Sequence, residues 1–136
     1  MDALGLARGF LAGLAAAGVV TAVQALAWAR WGRSSVFEWQ EAEAGMERLL
    51  GRRSMVAGLA GHVLAGGVAG VVFVLGVAVL PIAGPRIALG AGMGFLMWLI
   101  TLVIHEPVTG SPAKGVGVAV TLVTHLIYGT LVGAWA

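Results

Sequence analysis

The sequence contains no cysteine. That excludes disulfides, thiolate nucleophiles and Cys-ligated zinc or iron–sulfur centres, and it leaves no trace of a redox compartment. Charge is scarce too: of 136 residues only 10% are charged, against 60% hydrophobic. Soluble domains carry about a quarter charged residues, so this balance points to lipid as the solvent. Proline is confined to Pro81, Pro85, Pro107 and Pro112, outside the long apolar runs. The net charge of +2 comes from basic residues set between apolar blocks, a membrane-orientation pattern rather than a nucleic-acid surface. Signs of an enzyme are missing as well. Ser34, Ser35, Ser54 and Ser111 stand in no nucleophile elbow, and no glycine-rich phosphate loop follows a strand.

What is present is a set of four apolar stretches. A helix needs about 20 apolar residues to cross about 30 Å of hydrocarbon. Residues 4–28, 55–80, 87–104 and 116–136 meet that requirement, giving an all-α membrane protein, a four-helix bundle within one domain over 1–136. The first run carries an Ala27-Trp28-Ala29 sequence resembling a signal cleavage site, but it is too long for a signal h-region and is read as a span. Pro81, Gly84 and Pro85 mark a tight turn, and Pro107, Gly110 and Pro112 break the chain before the last span.

Loop charges set an expected orientation. Arg30, Arg33, Arg48, Arg52, Arg53 and Lys114 share one side, with Arg8 and Arg86 opposite. Positive-inside counting puts the first and third loops in the cytoplasm of a cell (inner) membrane and both termini outside. The first loop holds Ser35-Val36-Phe37-Glu38, the spacing of a capping box. Beyond it Trp39, Ala42, Met46 and Leu49 recur at helical spacing, with Glu41, Glu43, Glu47 and Arg48 between them. This predicts a short amphipathic helix over 35–50, lying at the membrane surface with Trp28, Trp31 and Trp39 at headgroup level. It serves either as a plain connector or as a partner-binding or gating element.

The 22 glycines are concentrated in the spans. Gly5, Gly9, Gly13 and Ala17 form one small-residue stripe, and Gly90 and Gly94 a shorter one. Such stripes let helices approach closely in lipid. The second span reads Ser54, Gly58, His62, Gly66, Gly70; the fourth reads Gly117, Thr121, His125, Gly129, Gly133. This similarity predicts two parallel helical-hairpin repeats related by an axis along the membrane normal. The ridges, with so little chain outside the bilayer, also suggest packing or association: a homo-oligomer or a subunit of a larger membrane complex, with the lipid bilayer as its other partner and no nucleic acid.

On this topology His62, His105 and His125 share one leaflet, with Glu106 beside them. Each of His62 and His125 lies roughly 10–14 Å along its helix. Ionisable groups inside a membrane usually face the bundle interior or a watered cavity. Four readings fit. The imidazoles hydrogen-bond neighbouring helices and fix the packing. They carry protons or small ions, with Glu106 as relay. His62 and His125 ligate a b-type haem. Or a divalent metal sits among His62, His105, His125 and Glu106. Packing with no cofactor is the leading expectation, and ion transport the main alternative.

The end of the chain carries a further pattern: Gly90-x-x-x-Gly94 and Trp98, then Pro107-x-x-Gly110, then His125-x-x-Tyr128-Gly129 with Gly133. This resembles small bacterial and archaeal four-helix membrane proteins of unknown function, YagU-like in style. In those a Pro-x-x-Gly turn ends the third span and a His-x-x-Tyr-Gly-x-x-x-Gly motif marks the last. His62 with Gly66 is similar to their weaker His-x-x-x-Gly. His105-Glu106 before the proline is less familiar, and the resemblance implies no role for it. The resemblance implies a fold and a membrane location, and no activity.

Overall fold

A computed structural model describes residues 2–80 and 82–136; Pro81, part of the expected turn, lies outside them. Among the described residues the chain forms five α-helices and no strand: α1 (Ala3–Trp31), α2 (Phe37–Leu50), α3 (Met55–Val79), α4 (Arg86–Thr109) and α5 (Val116–Trp135). A 3₁₀ turn at Arg33–Ser35 leads into α2. Helices α1, α3, α4 and α5 are long and apolar enough to cross a membrane. Their burial is inverted relative to a soluble bundle. Leu4, Leu26, Val56, Val79 and Val103 are more than two-thirds exposed, while the interior holds Ala12, Ala16, Ala17 and buried glycines. In water such a surface would aggregate; in hydrocarbon it is the solvated face. This is a multi-pass membrane protein.

Helix α1 packs on α3, α4 on α5, and the two hairpins meet along α1 and α5. Glycine makes both hairpins possible. A Cβ at Gly13 would run into the Gly66 carbonyl, and one at Gly70 into the Gly9 carbonyl. In the second hairpin Gly90 and Gly129 would each strike the other's carbonyl, Gly94 that of His125, and Gly133 that of Arg86. Gly5, on the same stripe, is half-buried. Gly13 therefore stands to Gly66 as Gly90 stands to Gly129. Continuing that register, Gln24 corresponds to Thr101, Trp28 to His105, and His62 to His125.

Several boundaries differ from expectation. Helix α4 does not stop at 104 but runs through Pro107 to Thr109. Pro107 gives up the one backbone bond its nitrogen would have made to the Val103 carbonyl but does not end the helix, and the break falls at Gly110, whose φ of 73° is left-handed. His105 and Glu106 thus lie within α4 rather than at its exit. The expected capping box is absent. Ser35 Oγ donates to the Gly32 carbonyl, Val36 caps α2 without a side-chain bond, and Glu38 is turned inward.

The helix of the first loop is present, but it is bound into the bundle. Phe37, Glu38, Trp39 and Glu43 are buried. Gly58 lets the α2 backbone come close, since a Cβ there would sit 3.1 Å from the Glu43 amide nitrogen. Trp39 is not held at a surface: it packs on Trp28 in a tilted pair at 5.2 Å and donates its indole N–H to Gln24 Oε1 at 2.7 Å. Arg48 donates to the Val108 carbonyl at 2.9 Å, and Arg33 pairs with Glu43. Helix α2 covers one end of the bundle and touches both α3 and α4, which scarcely touch each other.

Candidate functional site

Under α2 lies a cavity of about 340 Å³ to which all five helices contribute. Helix α3 brings His62, α5 brings His125 and Tyr128, α4 brings Thr101, α1 brings Gln24, and α2 brings Glu38 and Glu41. Glu38 and Glu41 are three residues apart, so they share the face of α2 that looks into the bundle.

Glu38 is buried and held by donors on α5. Thr121 Oγ1 donates to its Oε2 at 3.4 Å and Thr124 Oγ1 to its Oε1 at 3.2 Å. His125 Nδ1 is 3.2 Å from the same Oε1 and 2.9 Å from the Thr121 carbonyl oxygen. Both neighbours of that nitrogen are acceptors, so Nδ1 carries the hydrogen and Nε2 faces the Thr101 hydroxyl across a long 3.5 Å contact. Burial opposes ionisation of Glu38. The hydrogen bond and charge of His125, with a smaller contribution from His62, outweigh it and hold the carboxyl below its usual range.

Glu41 behaves in the opposite way. Burial, with the nearby Glu38 carboxylate adding to it, pushes its carboxyl up to about 8. Its Oε1 lies 2.9 Å from His105 Nδ1, and the His105 ring stacks on Phe37 at 4.1 Å. Because Glu41 is protonated at neutral pH, the hydrogen between these atoms sits on the Glu41 oxygen and the imidazole nitrogen accepts it. The site therefore holds one carboxylate kept ionised and one kept neutral, each on its own histidine. Environments that push two carboxyls apart in this way are a hallmark of proton-handling sites.

Away from α2 the cavity ends at Tyr128, whose hydroxyl donates to the Gly66 carbonyl at 2.5 Å. Val20 at the edge of the cavity, with Phe73 and Val132 beyond it, forms an apolar core. Apart from Tyr128, the buried residues of that cluster are all apolar.

The three histidines expected to share a level do lie at the α2 end, but Glu106 is not with them. It is exposed on α4, one position round from the buried His105. The carboxylates at the site come from α2 instead. No group of three or more His, Asp or Glu among the described residues is arranged to hold a metal, so the expected quartet of His62, His105, His125 and Glu106 is not assembled. A haem bridge between His62 and His125 also fits poorly, because both nitrogens of His125 are occupied by protein groups.

Sequence reasoning missed Glu38, Glu41, Gln24, Thr101 and Thr124. One signal was available: Thr21 and Gln24 are the hydroxyl and amide side chains in the otherwise apolar second half of the first span. No protein-family model, curated protein or solved structure matches this chain. The likeness to YagU-like proteins thus rests on its short motifs, and the roles of His125, Tyr128 and Gly129 are taken from their contacts here.

Proposed function

We propose that the protein is a proton-coupled membrane carrier. The observation that carries this is the pairing of Glu41 with His105 beside that of Glu38 with His125, with Glu38, Glu41 and His125 lining one cavity between membrane helices. Glu41, titrating near 8, gains and loses a proton within the physiological range. The titratable groups sharing the cavity with it are Glu38 on its own helix, His62 on α3, and His125 and Tyr128 on α5, while His105 on α4 contacts it directly from outside the cavity lining. Positive-inside counting puts this end in the cytoplasm.

The apolar layer of Val20, Phe73 and Val132 supports a carrier over an open pore. Protons cannot hop through it, so crossing requires the hairpins to move, and the moving cavity carries its proton with or without a solute aboard. Association, the leading expectation from sequence, loses its main support. The ridge glycines that suggested it are occupied between α1 and α3 and between α4 and α5.

Proton flux into proteoliposomes, driven by an imposed potential and read by an internal pH dye, tests the proposal. The wild-type protein should exceed empty liposomes. Glu41→Gln combined with His105→Asn should lower the protein-dependent rate at least about tenfold, a typical contribution of a positioned proton-transfer group being larger still. Equal flux in wild type and a folded double variant would end this reading.

A further inference from the structure

Two polar atoms at the cavity are left out of the proton pairs. Gln24 is 0% exposed, and its Oε1 accepts from Trp39 Nε1. An indole N–H only donates, so the amide cannot be flipped and its Nε2 is the free end. That nitrogen, with two hydrogens, has no partner among the described residues; neither has the buried Nε2 of His62. Both side chains line the same cavity. A buried donor left unmet is unfavourable, so an occupant that supplies an acceptor here is favoured.

The way in narrows the class of occupant. Helix α2 covers the aqueous end, whereas α3 and α4 are splayed along the side. Ala65 on α3 and Ile104 on α4 line the cavity and are also exposed, so the opening lies between exposed apolar side chains such as Leu64 and Val103. That opening faces hydrocarbon. A strongly hydrated solute would be stripped of water before entering. An anion would also meet the ionised Glu38.

We propose that the cavity binds an uncharged, lipid-soluble molecule with a carbonyl oxygen. Gln24 Nε2 donates to that oxygen, His62 Nε2 lies beside it and donates in the tautomer that carries a hydrogen there, and Val20, Ala65, Met97 and Ile104 receive its apolar body. This deepens the carrier reading by naming the solute class and rests on it only for the ligand's purpose. Binding itself is measured at equilibrium, without a gradient.

The test titrates the purified protein in detergent with benzophenone and with diphenylmethane, which has the same shape but no carbonyl, after subtracting binding to empty micelles. Benzophenone should bind at least about tenfold more tightly, the size of one buried hydrogen bond of about 1.4 kcal/mol. Gln24→Met should abolish that preference. Adding Trp39→Phe, which removes the indole N–H orphaned by the first change, should restore the fold without restoring the preference. If neither variant folds, Ala65→Trp at the mouth should abolish benzophenone binding while leaving Gln24 intact. Equal binding of the two probes would mean that water satisfies Gln24, and would overturn the proposal. So would a preference surviving in Gln24→Met, benzophenone binding surviving in Ala65→Trp, or tighter competing binding of tetraphenylphosphonium. Flux without probe preference refutes the ligand and spares the carrier; preference without flux does the reverse.

Discussion

At the scale of single residues, the site depends on two glutamates of one helix being held in different protonation states. For Glu41 the folded state binds its proton more tightly than the unfolded chain does. The stability it contributes is therefore full below about pH 4.5 and is lost as pH rises through about 8. Thermal unfolding in detergent should show a wild-type midpoint falling by roughly 5 °C between about pH 5 and 9, and Glu41→Gln should flatten that slope. Glu38 has the opposite sign: its lowered carboxyl contributes stability above the usual carboxylate range that is lost only in stronger acid. Glu38→Ala strands the donors of Thr121, Thr124 and His125 and should cost about 3 kcal/mol near neutral pH in a denaturant titration. A variant unchanged in stability would show that this carboxylate is not held as described. None of this was legible in the sequence. Glu38 has the spacing of a cap and Glu41 that of a solvated face, and only tertiary contact turns both inward.

At the scale of helices, the spans were legible because length and hydropathy decide them, and His62 and His125 because their repeat spacing is local. Less was readable where two signals compete. Pro107 outweighs Gly110 in a sequence reading, yet the left-handed glycine ends α4 and the proline does not. Helix α2 shows the same limit, since its amphipathic pattern fits a lipid surface as well as a bundle end. The glycine seams make a sharper prediction. Gly129→Val would drive a Cβ into the Gly90 carbonyl and should destabilise the protein by about 3 kcal/mol. Gly92→Ala meets nothing within 4 Å and should be neutral or stabilising by up to about 1 kcal/mol. Equal effects of the two substitutions would refute the seam.

At the scale of the whole molecule, two hairpins in the same register make a near-symmetric bundle, and α2 is the part that breaks the symmetry. It supplies a carboxylate to His125 but leaves Nε2 of the equivalent His62 without a partner. It lays Trp39 on Trp28, and Phe37 on the equivalent His105. The asymmetry has a mechanical meaning. The hairpins share one seam, α1 against α5, while the side between α3 and α4 is bridged by α2. They are arranged like the covers of a book, with α1 and α5 as the spine and α2 as the clasp. Rotation about that spine widens or shuts the fore-edge without disturbing either glycine seam. Because the native chain has no thiol, Ala65→Cys and Ile104→Cys introduce the only two, one on each cover. Bridging them with bifunctional thiol reagents of increasing length then measures how far the book opens, and loosening the clasp with Arg48→Ala should extend the longest reagent accepted.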